Sequence, residues 1–98
     1  MVVRFFASIR NITGAKELTW EEQAPTLRHL LQRLSERYGR KFATWVFNGE
    51  ELGSAVLVVV NGEDARHLAG LETPLASDDV VSILPSMAGG SEAPHGSI

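Results

Sequence analysis

The feature that most constrains this chain is a single amphipathic stretch. Leu27, Leu30, Leu31, Leu34 and Tyr38 recur at the spacing that puts them on one stripe of a helix. Arg28, Gln32, Arg33, Glu36 and Arg37 cover the rest of that surface. Thr26, just after Pro25, offers a hydroxyl to an orphan N–H of the first turn, and Gly39 supplies a residue suited to the helix end. A helix that is apolar on one side only needs one sheet to lie against. The sequence has no second stretch of this kind.

The remaining apolar residues read mainly as strands. Residues 2–9 (VVRFFASI) are β-branched and aromatic, and a period of two puts Val3, Phe5, Ala7 and Ile9 on a core face. Val2, Arg4, Phe6 and Ser8 then fall on the opposite face. Asn11-Ile12-Thr13-Gly14 reads as a turn, so residues 15–20 return as the second arm of a hairpin ending at Trp20. Residues 40–55 are irregular; Phe42, Trp45 and Phe47 pack under the sheet edge, and Asn48-Gly49 and Gly53-Ser54 mark turns. Val56–Val60 is a continuous apolar run, which reads as a strand buried on both faces and central in the sheet. Residues 63–77 hold a short strand or turn, with one helical turn near His67–Gly70. Asp78-Asp79 leads into a last strand over Val80–Leu84, which Pro85 stops. The order is hairpin, main helix, central strand, short segment, final strand. Pattern alone gives a small α+β roll; a mixed four- to five-stranded sheet with one main helix on one face, and the first and last strands side by side at its centre, is the β-grasp (ubiquitin-like) arrangement. The expected division is a β-grasp domain over 1–85 and a flexible tail over 86–98.

Composition excludes several functions. The chain has 98 residues, enough for one domain, and no cysteine, so neither disulfides nor thiolate metal ligation are available. His29, His67 and His95 lie too far apart in sequence to form a metal motif. The net charge of −3 gives no reason to expect nucleic acid. No apolar run approaches membrane length and the start lacks a signal peptide, so a cytoplasmic protein is expected.

Several segments, in order and at fitting spacing, resemble the MoaD/ThiS family of sulfur carriers. These are Phe5-Phe6-Ala7, Ile9-Arg10 and Gly14; Thr26-Leu27 and Leu30-Leu31; Val60-Asn61-Gly62, Leu75, Asp79 and Val81; and finally Pro85-Ser86-Met87-Ala88-Gly89-Gly90. The family ends on a phenylalanine, two prolines, a small or aliphatic pair and Gly-Gly. Leu84 stands here for the phenylalanine and Ser86 for the second proline. The likeness covers residues 2–90, and the length and segment 40–55 are more similar to MoaD, the small subunit of molybdopterin synthase, than to the shorter ThiS. One departure is larger, because this chain continues past the second glycine with Ser91–Ile98.

The resemblance implies a function. The carboxylate of Gly90, once residues 91–98 are removed, is adenylated with ATP by a ubiquitin-activating-type adenylyltransferase and converted to a thiocarboxylate. The thiocarboxylate then donates sulfur in molybdopterin or tungstopterin biosynthesis, in complex with a large synthase subunit. A peptidase, of the zinc JAMM type, would cut Gly90-Ser91. The carrier is non-catalytic alone and binds no cofactor or metal itself; ATP belongs to the activating enzyme. Gly89 and Gly90 form the reacting terminus, where the absence of a Cβ lets a thin strand thread a close channel. Partner contacts are expected at Phe6, Leu84, Pro85, Met87 and Ala88. Of these, Phe6 and Leu84 alternate with core positions and so form an exposed apolar patch, with Arg4 and Arg10 as a polar rim. Sulfur carriage for another product (thiazole, tRNA thiolation, an amino acid), a ubiquitin-like protein modifier and a non-reactive binding module remain open.

Overall fold

The computed structural model describes residues 1–86. The chain runs β1 (Val2–Phe5), α1 (Ser8–Thr13), β2 (Glu17–Thr19), α2 (Leu27–Tyr38), α3 (Arg40–Val46), β3 (Phe47–Asn48), β4 (Glu51–Leu52), β5 (Val56–Val60), β6 (Glu63–Asp64) and β7 (Val80–Pro85). Two 3-10 turns, Ala65–His67 and Gly70–Glu72, lie between β6 and β7. The five-stranded sheet has the order β2-β1-β7-β5-β6, and β3 pairs with β4 in a separate small hairpin. β1 and β7 are parallel neighbours, in register from Val2↔Val80 to Phe5↔Ile83. The other pairings in the large sheet are antiparallel. This is the expected β-grasp roll.

Helix α2 forms as its sequence dictates. The Thr26 hydroxyl accepts a hydrogen bond from the His29 N–H at 3.3 Å. Gly39, at φ 94°, ends the helix and donates its N–H to the Ser35 carbonyl at 2.8 Å. Leu27, Leu30, Leu31 and Leu34 are fully buried and share one core with Val3, Phe5, Val56, Val58, Val81 and Ile83. Each such burial is worth about 1.5–3 kcal/mol. Phe5 meets Tyr38 and Phe42 edge-on, with ring centroids 5.7 and 6.3 Å apart.

Three expectations need correction. The first strand stops at Phe5, and residues 8–13 are a helix rather than strand end and turn. Ala7 is exposed and off the strand, with φ 51° and ψ −128°; Ile9 still reaches the core, but from α1. Residues 6–9 form a tight turn, the Ile9 N–H donating to the Phe6 carbonyl at 3.0 Å, so β1 and β2 are joined through α1. Secondly, residues 40–46 are helical. Phe42, Trp45 and Val46 fall at i, i+3 and i+4, which turns Phe42 and Val46 into the core while Trp45 and Phe47 pack partly buried against it. Thirdly, β5 is not buried on both faces. Val56, Val58 and Val60 are buried while Leu57 and Val59 are half-buried, because α2 covers only one face of the sheet. The central strand is β7, and β5 lies one strand in from the edge. The expected tail over 86–98 lies, apart from Ser86, outside the described residues.

Candidate partner-docking site at the end of the central strand

The face of the sheet away from α2 is open, and side-chain alternation assigns its residues. Val3, Phe5, Val81 and Ile83 point to the core, which leaves Arg4, Ser82 and Leu84 on the other side. Leu84 is the register partner of Leu57 on β5. Phe6 follows the last β1–β7 pair, and its N–H donates to the Ile83 carbonyl at 3.1 Å. Phe6, Leu84 and Leu57 therefore occupy one row across three strands. Phe6 is 37% exposed, and Leu84 and Leu57 are half-buried.

Charged groups border this row. The Arg10 guanidinium lies over the Phe6 ring, 5.7 Å from its centroid, and its Nε donates to the Phe5 carbonyl at 2.9 Å. That contact fixes Phe6 between a cation and the strand end. Arg4 pairs with Glu17 across β1–β2 at 3.3 Å, with both side chains about half exposed. Such a surface pair adds little stability.

Pro85 is the last residue of β7 and the partner of Val56. It has no N–H to give, and the Ser86 N–H donates to the Ala55 carbonyl at 2.9 Å. Because β7 runs parallel to β1, the chain leaves the sheet at the end where Phe6 and α1 stand, and α1 packs against β7. Phe6, Leu84 and Pro85 are thus brought to one end of the sheet. Met87, Ala88, Gly89 and Gly90, the other residues expected to serve the site, lie outside the described residues. Leu57 was missed by sequence reasoning; its signal was the alternation within VLVVV, hidden because every member is apolar. His29 is half-buried on α2 and His67 is exposed, and no group of three His, Cys, Asp or Glu among the described residues could hold a metal ion. No helix among them is long and apolar enough to cross a membrane.

The parallel pairing of first and last strands at the centre of the sheet, with the main helix across one face, defines the ubiquitin-like β-grasp class. Comparison with known proteins agrees. Residues 3–90 match the model of the ThiS family, and the chain belongs to that family. It is 34% identical over 89 residues to small archaeal modifier protein 3 of Haloferax volcanii, covering 90% of this chain and 96% of that one. It is 36% identical over 88 residues to a candidate sulfur carrier protein of Archaeoglobus fulgidus, covering 90% and 96%. Among solved structures, a chain of the BexX/CysO complex of Amycolatopsis orientalis matches with a TM-score of 0.75 at 28% identity, covering 87% of this chain and 93% of that one.

Proposed function

We propose that this protein carries sulfur as a thiocarboxylate on Gly90, after hydrolysis of the Gly90-Ser91 bond. The observation that carries this reading is that the family match ends on Gly90, eight residues before Ile98. An internal glycine carbonyl is already an amide and offers no carboxylate to activate. Cleavage supplies one. The freed carboxylate attacks the α-phosphate of ATP and releases pyrophosphate; sulfur at the sulfide level then displaces AMP from the acyl-adenylate and leaves the thiocarboxylate. The activating enzyme brings ATP and the acid–base groups. This chain brings the terminus and a docking face, binds no cofactor itself, and works in the cytoplasm.

The exit geometry supports this division of labour. Four residues beyond Ser86 span at most about 14 Å, so a partner that reaches Gly90 must come close to Phe6 and Leu84. The BexX/CysO complex is a case of a similar chain solved together with a partner protein. For the sulfur acceptor we propose the pterin precursor of the molybdenum or tungsten cofactor, held by a large synthase subunit. What supports it is the segment 40–55, which builds α3 and the β3–β4 hairpin and resembles the longer members of the family.

A second reading, attachment of Gly90 to lysines of other proteins, is favoured by the likeness to small archaeal modifier protein 3. The same acyl-adenylate serves both routes, and they part only at the nucleophile. The first test is ATP–pyrophosphate exchange on the cognate activating enzyme. The 1–90 form should exchange and the 98-residue form should not; equal exchange by both would remove the need for cleavage.

A further inference from the structure

The net charge of −3 conceals a local excess of positive charge. Residues 1–16 and 37–49 contain no Asp or Glu, yet hold six of the nine cationic residues: Arg4, Arg10, Lys16, Arg37, Arg40 and Lys41. The fold brings these stretches together by packing α1 against α3. Elsewhere two of the three arginines are neutralised, and the third, Arg66, turns its guanidinium to the Val56 and Gly53 carbonyls. Arg28 bridges Glu50 and Glu72 at 3.5 and 2.7 Å, and Arg33 meets Glu22 at 2.9 Å. Arg10, Arg37, Arg40 and Lys41 make no ion pair among the described residues.

Between α1 and α3 lies an open depression of about 480 Å³. Arg40 and Lys41 stand at it exposed, Ile12 and Trp45 line it half-buried, and Asn11 and Thr44 add polar groups. Unneutralised cations beside a half-open indole suit an anionic chain that also carries an apolar side chain. Ser8, Asn11 and Ile12 of α1 line the depression while Arg10 of the same helix lies over Phe6, and α1 packs against the strand that leads to Gly90.

We infer that the α1–α3 groove docks an acidic segment, bearing an aliphatic or aromatic side chain, of the adenylating enzyme that receives Gly90. The inference rests on the carrier reading above. It adds a second contact surface to the sheet face, one that reads charge. An enzyme gripping both surfaces fixes the exit direction of the tail better than a flat apolar patch alone. Nucleic acid fits less well, since the rest of the surface is acidic and the groove is short with an apolar lining.

The test is binding of the chain in its 1–90 form to its purified cognate activating enzyme at about 50 and 500 mM salt, where screening separates charge from packing. Arg40→Gln with Lys41→Gln should weaken binding at least about tenfold at low salt, with the gap narrowing at high salt. Gln23→Glu with Ser77→Glu changes net charge equally at the opposite end of the sheet, and should leave affinity within about threefold. Lys41→Glu alone should reproduce the loss, guarding against an effect of Arg40 on the start of α3. Phe6→Asp, run alongside, reports the sheet face. If Phe6→Asp weakens binding while the groove pair does not, the groove inference falls and the carrier reading stands. Wild-type chain that fails to bind the enzyme overturns both. Equal loss in the control pair, or groove dependence seen only with RNA or in self-association, overturns the groove.

Discussion

Helix α2 and the segment from Phe6 to Gly14 are each built beside the same core, yet they follow opposite rules. α2 has a side-chain cap at one end, a glycine at the other and a continuous leucine stripe against the sheet. The Phe6–Gly14 segment leaves a phenylalanine exposed, holds Ala7 at φ 51° and forms a helix of six residues with no side-chain cap. A non-glycine residue in that backbone region carries strain of about 1–3 kcal/mol. It persists because Phe5 and Ile9, both fully buried, pin the chain on either side. Local cues agree with one another where the molecule only needs support. They conflict at the end of the sheet where the chain exits toward Gly90, which is where function is expected to override propensity.

This contrast can be broken or sharpened by substitution. Leu30→Ala should lose about 3 kcal/mol, the cost of a cavity under α2, read from the urea midpoint. A loss below about 1 kcal/mol would mean that α2 is not the main support. Phe6→Asp should cost about 2 kcal/mol of binding to the activating enzyme, while unfolding stability stays within about 0.5 kcal/mol. Should the variant unfold instead, Phe6 is a core residue and the two regions do not differ. Thr26→Ala should remove about 1 kcal/mol by leaving an N–H of α2 without its partner. Ala7→Gly has the opposite sign and the smallest size. Relief of strain exceeds the added backbone entropy, so thermal stability should rise by up to about 1 kcal/mol. A fall would show that Ala7 is at ease in its conformation.

How much of this was legible in the sequence follows the same contrast. The limits of α2 and the last strand could be read because stripe, caps and stops all agreed. α1 was illegible because Val3, Phe5, Ala7 and Ile9 satisfy a period of two, and a tight turn at Ala7 delivers Ile9 to the core just as a strand would. α3 was hidden by its aromatic and β-branched composition, though Phe42 and Val46 at i and i+4 carried the signal. Of the candidate site, Phe6 and Leu84 were readable from alternation, whereas Leu57 was lost in an unbroken apolar run. The basic groove was spread over two distant stretches, so net charge concealed it until α1 and α3 were seen to pack.

The central claim is that Gly90 is the working terminus and carries sulfur, and intact mass of the protein recovered from its native cell tests it most directly. The account predicts a chain ending at Gly90, with a fraction heavier by the difference between one sulfur and one oxygen atom. Recovery of only the form ending at Ile98, or of a Gly90 terminus that never carries sulfur and is found instead joined to lysines of other proteins, would contradict it.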